Sequence, residues 1–193
     1  MITITLEPDS FVPSLISNNN SFQSNLNGFT QFSELPGSRW AASFTWTNRK
    51  GAEARQLTGQ LASLNGRIGV FKIPIPDSEP FGTALGAGVV NGASQTGTEL
   101  LTDGWDVSQT LLFAAGDWIE VDQQVFKITE DTSSDASGNA TLKISPSIRR
   151  SPANNTPVVA TPSFYMRSSK AEMPINVGEN QVYAISLTGI EID

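Results

Sequence analysis

Carboxylates, tryptophans and glycines are the residues here that could do chemistry, because the 193-residue chain has no cysteine and no histidine. That absence excludes zinc fingers, thiol proteases, Ser-His-Asp hydrolases and nearly all transition-metal enzymes. The oxygen-rich stretch at residues 131–139 could in principle bind calcium, which takes about six to eight oxygen ligands. Its spacing differs from that of an EF-hand loop, because Ala136 stands where that loop has glycine. We predict a hairpin turn there, with Gly138 at positive φ.

Three acids, Glu99, Asp103 and Asp106, could supply the two facing carboxylates of a glycoside hydrolase. A chain with nineteen acids also contains such groups by chance, and the sequence does not show whether these side chains face one another. The glycines in residues 82–88 resemble a nucleotide-binding run, but no core strand precedes them and no helix follows. We therefore predict a linker or extended arm over residues 78–91.

The four tryptophans offer a second kind of chemistry, stacking on sugars, as in carbohydrate-binding modules. Trp40 and Trp46 share the apolar face of a predicted strand and are expected in the core. Trp105 follows the turn signal Asp103-Gly104, so we expect it to be exposed. A sugar-binding face would require Trp105 and Trp118 to be exposed together.

Charge is sparse and unevenly placed along the chain. Charged residues make up 16%, the net charge is −7 and the isoelectric point is near 4.6, which argues against nucleic-acid affinity. Residues 99–135 hold nine acids and one base, whereas residues 39–72 hold six bases and one acid, and residues 143–170 hold five bases and no acid. Complementary patches of this kind suit a subunit that meets copies of itself, although merely solvated surfaces would give the same pattern.

The elements that position these residues are mostly strands. The best predicted strand begins at Arg39 and places Trp40, Ala42, Phe44 and Trp46 on one face. A helix is predicted over residues 53–64, where Ala54, Leu57, Leu61 and Leu64 recur at helical spacing and Asn65-Gly66 supplies the stop. The Asn- and Ser-rich residues 17–28 are interpreted as a polar surface loop.

Short β-type runs separated by turns follow from residue 92 to residue 169 and predict a small barrel or sandwich. A last strand over residues 181–192 is expected to pair near the first strand, with Gly189 as a bulge or bend. The chain also lacks a signal-peptide pattern and any long apolar span. The residue patterns therefore predict a mainly β class with one helix and a small β-barrel or sandwich module.

Two segments of the chain carry motifs of a known protein family. The first contains Trp40-x-Ala42-x-Phe44-x-Trp46, Gly51-Ala52-Glu53-Ala54, the leucines at 57, 61 and 64, Asn65-Gly66-Arg67 and Phe71-x-Ile73-Pro74. The second contains Ala115-Gly116-Asp117-Trp118-Ile119 and Ser134-Asp135-Ala136-x-Gly138-x-Ala140-Thr141-Leu142-x-Ile144-x-Pro146. Together they cover about half the chain and resemble structural proteins of tailed-bacteriophage virions. They are most similar to distal tail proteins, the adaptor rings between tail tube and baseplate or tip.

The resemblance implies a β-sandwich with helix formed by residues 1–90 and 176–193, and an inserted peripheral β-domain formed by residues 91–175. It further implies a homohexameric ring in the virion tail tip, contacts with the tail tube and tail hub proteins, and DNA that passes without specific binding. Neither catalysis, a cofactor nor membrane attachment is expected, and synthesis takes place in the host cytoplasm. The family's larger members append a sugar-binding domain, and the insertion here is short for that purpose.

Within that hypothesis, certain charges are candidates for the channel lumen or the subunit interface: Glu99, Asp103, Asp106, Glu191, Asp193, Arg49 and Arg149. Three alternatives stay open at this level. The chain could be another virion component, such as a tube or decoration protein, or a carbohydrate-binding module, or a glycosidase.

Overall fold

Two β-sheets, one helix and a separate β-hairpin form the fold in a computed structural model that describes residues 1–192. The predicted mainly β class, with a flanking helix and a second β-module, is confirmed. The elements, in chain order, are β1 (Ile2–Thr3), β2 (Ser10–Ile16), β3 (Asn19–Gln23), β4 (Thr30–Glu34), β5 (Arg39–Arg49), α1 (Gly51–Ser63), β6 (Val70–Pro74), β7 (Gly86–Val90), β8 (Gly97–Trp105), β9 (Trp118–Val121), β10 (Gln124–Ile128), β11 (Ala140–Ile148), β12 (Val158–Val159), β13 (Ser163–Ser168), β14 (Ile175–Val177), a 3-10 turn (Glu179–Gln181) and β15 (Tyr183–Glu191).

The larger sheet has seven strands in the order β1-β6-β13-β15-β5-β2, with β14 also paired to β15. Apart from the parallel pair β1–β6, its strands are antiparallel. We predicted that the last strand pairs near the first, but β15 lies between β13 and β5, and β1 pairs with β6 instead. Only two residues of the N-terminal alternating run form ladder pairs, which is too few to anchor a long strand.

One face of this sheet, the inner face, packs against α1 and against the second sheet. Its buried residues include Trp40, Phe44 and Trp46 from β5, opposite Leu57 and Leu61 from α1. Leu64 caps the helix and is also buried, so every leucine of the predicted stripe lies in the core. The helix ends where predicted because Asn65 and Gly66 both adopt positive φ, at 51° and 66°.

The second sheet has six strands in the order β12-β9-β10-β11-β8-β7 and curls into a nearly closed barrel. The N–H of Val90 donates to Thr156 O at 2.9 Å, and the N–H of Asn155 donates to Val90 O at 2.9 Å. These bonds bring the β12 end of the sheet beside β7. The barrel interior is a separate apolar core that includes Leu100, Phe126 and Leu142.

We predicted that the glycine-rich residues 78–91 form a linker or extended arm. Their second half instead forms β7, a strand of the barrel. A Cβ atom at Gly88 would lie 2.0 Å from Cζ2 of Trp105, so only glycine allows the indole to lie flat on the strand. Gly189 serves a similar purpose in β15 and is not a bulge. A Cβ there would lie 2.7 Å from the ring of Phe71 and 2.8 Å from the sulfur of Met166.

Residues 19–34 form a hairpin rather than the polar loop that the composition predicts. β3 and β4 pair antiparallel, with Ser21 opposite Phe32 and Phe22 opposite Gln31, and Ser24 closes the turn by donating its N–H to Phe29 O at 2.9 Å. Three phenylalanines in this stretch raise its β-propensity above that of its Asn and Ser neighbours.

The limits of the two sheets also differ from the domain limits that we predicted at residues 90/91 and 175/176. Gly86–Val90 belongs to the barrel, and Ser163–Ser168 belongs to the seven-stranded sheet.

Candidate functional site

A buried ion pair joins the larger sheet to the barrel, and it involves two residues that we predicted to face a channel or a neighbouring subunit. Glu191 in β15 is 1% exposed, and its carboxylate lies 2.7 Å from Nη1 of Arg149. Its Oε1 accepts the N–H of Val125 at 2.7 Å, and its Oε2 accepts the N–H of Trp40 at 3.2 Å. That prediction is wrong for Glu191 and Arg149, because a carboxylate enclosed within its own chain cannot line a lumen.

Aromatic rings surround this ion pair and complete the junction. Trp40 meets Trp118 edge to face with ring centroids 4.8 Å apart, and Trp118 also meets Phe164 at 6.0 Å. A second carboxylate crosses the junction, since Glu120 of β9 accepts the N–H of Ser163 at 3.0 Å. The barrel is thus held to the sheet by a buried aromatic contact and by two hydrogen-bonded carboxylates.

Three of the nine acids in residues 99–135, the stretch that suggested an acidic patch, accept hydrogen bonds from loop N–H groups of the barrel: Asp117, Asp131 and Asp135. Asp117 is buried, and its two oxygens accept N–H groups from Phe81 at 2.9 Å, Gly82 at 3.2 Å and Ala114 at 2.8 Å. Asp131 accepts the N–H of Ala115 at 2.8 Å. These acids serve the barrel's own loops, whose N–H groups need oxygen acceptors.

Asp135 caps the turn that the sequence predicts at residues 131–139. Its Oδ1 accepts the N–H groups of Ser137 at 2.7 Å and Asn139 at 2.9 Å, and Gly138 has a φ of 78°. The side-chain hydrogen bond from Asn139, followed by these backbone bonds, holds the pKa of the Asp135 carboxyl below its usual value. The oxygen-rich stretch is a hairpin turn, as predicted.

Glu99, one of the three acids considered for glycoside hydrolysis, is engaged by a base and not by a second acid. Glu99 forms an ion pair with Lys143 on the neighbouring strand, and the hydrogen bond from that pair raises the pKa of Lys143. Glu99 and Asp103 lie four residues apart on β8, which separates their Cα atoms by about 13 Å along an extended strand. Within residues 1–192, no three acids group so that they could hold a metal ion.

Trp105 is 5% exposed, which contradicts our prediction of an exposed side chain. Its Nε1 donates to Thr102 Oγ1 at 2.8 Å, and its ring meets Phe113 edge to face at 5.3 Å. The turn signal before it is real, since Gly104 has a φ of 78°, but the strand continues through that residue and turns Trp105 inward. With Trp118 also buried, the two tryptophans do not form a sugar-stacking face.

Arg49, another candidate for the subunit interface, is tied to its own chain at the end of β5. Its Nη2 lies 2.7 Å from Oδ1 of Asp9, and its Nη1 lies 3.7 Å from Oε2 of Glu53. The pKa of Asp9 is lowered, chiefly by the backbone hydrogen bond from Thr47. Asp103 is half-buried and Asp106 exposed, so both remain accessible. Asp193 lies outside the described residues.

The surface feature that the sequence did not reveal is a run of exposed apolar side chains, residues 12–35, which we call the apolar arm. It contains eight of the seventeen large apolar residues that are exposed within residues 1–192: Val12, Leu15, Ile16, Phe22, Leu26, Phe29, Phe32 and Leu35. Phe22 is 69% exposed, Phe32 is 75% exposed and Leu26, at the hairpin turn, is 98% exposed. Phenylalanines spaced through a polar tract were the signal that could have indicated it.

The arm begins in β2, which is the edge strand of the larger sheet. An open edge next to exposed aromatic side chains can receive another chain.

Within residues 1–192, no helix has the length and apolar character to cross a bilayer. No protein-family model matches the chain, and a search of curated proteins finds no relative either.

Proposed function

We propose that this protein is a structural subunit of a bacteriophage tail tip, an adaptor that forms a ring between the tail tube and the tip hub or baseplate. The observation that carries the proposal is the apolar arm. A lone soluble chain rarely leaves so many large apolar groups in water within one short stretch, whereas a subunit buries them in its assembly. The resemblance of two segments of the chain to distal tail proteins supplies the identity of that assembly.

The topology supports the same role. The barrel lies in sequence between β6 and β13, which are neighbours in the larger sheet, so the barrel is inserted between two adjacent strands. Such an arrangement lets the sheet and helix build a ring while the barrel adds a module at its periphery, as the resemblance implies. The junction around Glu191 and Trp118 keeps that module in a fixed orientation.

In this proposal the chain acts by position and not by catalysis. DNA passes through the ring without specific binding, and the net charge of −7 per copy disfavours a lasting hold on phosphate. The isolated protein should therefore not retard duplex DNA in a gel at moderate salt. Tight DNA binding by the wild-type chain would contradict this part of the proposal.

The decisive experiment is mass photometry of the purified chain together with negative-stain images. The expected result is a closed ring, and the resemblance implies that it contains six copies. In a second experiment, an antibody against the barrel should label virions at the tail tip. Long stacks of rings would point to a tube protein, and labelling over the capsid to a decoration protein. A chain that stays monomeric at low salt and high concentration would overturn the proposal.

A further inference from the structure

The hairpin formed by β3 and β4, which is the outer part of the apolar arm, carries a phenylalanine on each of its two faces. Phe22 pairs with Gln31 across the hairpin, and Phe32 pairs with Ser21. Paired residues lie on the same face, whereas neighbours along a strand lie on opposite faces. Phe22 and Gln31 therefore share one face, which we call the Phe22 face, and Phe32 and Ser21 share the other, the Phe32 face.

This hairpin is a sheet of its own, separate from the larger sheet and from the barrel. All five residues of β3 are exposed, and so are residues 30–33 of β4. A two-stranded hairpin by itself is only marginally stable in water, because nothing covers its side chains. Within residues 1–192 the chain leaves most of Phe22 and of Phe32 in solvent. Both faces of the hairpin therefore call for a partner.

One flat partner surface cannot cover both phenylalanines, because their side chains point in opposite directions. Pairing the hairpins edge to edge would extend the sheet sideways and would by itself cover neither face. A row of hairpins covers both faces with a single kind of contact, in which the Phe32 face of one copy packs on the Phe22 face of the next. Sheets that pack face to face in this way lie about 10 Å apart.

The distribution of charge favours a second copy as the partner. Residues 10–33 contain no charged residue and form the longest uncharged stretch of the chain. Each copy carries a net charge of −7, so two copies repel each other in general, but contact through this stretch brings no like charges together. The Ser, Asn and Gln side chains around the two rings can also hydrogen-bond to the same groups of another copy, as stacked amides do between identical strands.

We infer that the hairpins of neighbouring copies stack on one another, with the Phe32 face of one copy on the Phe22 face of the next. This interface deepens the proposed function and rests on it, because it assumes the ring. The contact joins two different surfaces of the same chain and is therefore head to tail, and such contacts generate rings when the rotation closes. The partner of each arm is thus another arm.

The test uses Phe22→Ser and Phe32→Ser as two separate variants of the full chain. Each removes one of the two rings from every contact, so each variant alone should assemble about tenfold more weakly, or worse, in mass photometry. A one-to-one mixture should form pairs, because the intact Phe32 face of the first variant meets the intact Phe22 face of the second. These pairs should not grow into rings, since each pair has only altered faces left.

Two controls separate a lost contact from a misfolded chain. Thr30→Ser is a small change on the Phe32 face, and this variant should assemble like the wild type. A chain with both Phe22→Ser and Phe32→Ser has no intact face, so it should form no pairs with either single variant. The thermal midpoints of the single variants as monomers should match that of the monomeric wild type, because both side chains are exposed.

The possible outcomes distinguish this interface from the proposed function. If the wild type forms rings and either single variant still forms them, the stacking inference is overturned while the proposed function stands. A Phe32→Ser variant that pairs with itself would show that like faces meet, and a mixture without pairs would show that the arm docks on some other surface. Either result also overturns the inference. A wild type that never assembles would overturn the proposed function itself.

Discussion

The barrel and the N-terminal apolar arm differ in whether their backbone hydrogen bonds and apolar side chains are satisfied within the chain. In the barrel, strands close on themselves through Val90 and Asn155, and the loop N–H groups of Phe81, Gly82 and Ala114 are satisfied by one buried aspartate. In the arm, an edge strand stays open and phenylalanines face solvent. The comparison indicates that the barrel is complete within one chain, whereas the arm is shaped for another chain.

The largest loss of stability is expected at the junction between the barrel and the larger sheet. Glu191→Ala removes a carboxylate that pairs with Arg149 and accepts two backbone N–H groups. An unpaired buried charge typically costs about 3–5 kcal/mol, so we expect the free energy of unfolding in urea to fall by that amount. Glu99→Ala, which breaks an exposed ion pair on the barrel, is the control and should cost about 1 kcal/mol or less. Equal losses in the two variants would mean that the junction is no more important than the barrel surface.

A second stability test addresses the helix that covers the inner face. Leu61→Ala should cost about 2–5 kcal/mol by the usual range for core cavities, because Leu61 packs in the same core as Phe44 and Trp46. Arg55→Ala, on the exposed side of the same helix, should leave the thermal midpoint nearly unchanged. An unchanged midpoint in Leu61→Ala would place the leucine stripe in solvent.

The arm itself should respond in the opposite way, with little change in stability and a large change in association. Phe22→Ser together with Phe32→Ser changes two exposed side chains, so the free energy of unfolding of the monomer should move by no more than about 0.5 kcal/mol. Assembly measured by mass photometry should nevertheless be lost. Ser21→Ala on the same hairpin serves as the control. Intact assembly in the double variant would show that the arm is not an interface.

The smallest effect is expected from pH at the barrel turn. The folded-state pKa of Asp135 is lowered, so this group contributes stability above its unfolded pKa of about 3.9 and loses that contribution as pH falls through the folded pKa. Asp135→Asn should therefore differ from the wild type at neutral pH and converge with it in acid. Thermal midpoints measured from pH 7 to about pH 3 check this expectation. A difference between the two thermal midpoints that grows as the pH falls would contradict it.

The sequence predicts the parts of the fold that depend on local periodicity. The alternation around Phe44, the leucine stripe of α1 and the stop at Asn65-Gly66 all appear where expected, because each pattern concerns neighbouring residues. The turn around Gly138 is predicted for the same reason.

Features that depend on distant partners could not be predicted in this way. Glu191 becomes buried only because Arg149, Val125 and Trp40 meet it, and the last two are 66 and 151 residues away in sequence. Similarly, the indole of Trp105 fits inside the barrel because residue 88 on the adjacent strand is a glycine and leaves room for it. The apolar arm was missed because its phenylalanines are outnumbered by Asn and Ser in the same stretch.

The position of β15 has a consequence for how the chain folds. This strand pairs with β5 along most of its length, with Tyr183 opposite Arg49 and Ile190 opposite Ala41, so the two partners are separated by the entire barrel. The barrel has its own core and can collapse as soon as residues 86–159 leave the ribosome. The larger sheet must instead wait for β15, and closing so long a loop slows its formation. During that interval the open side of β5 is a place where newly made copies could pair wrongly, which makes this strand the point at which a chaperone would be most useful.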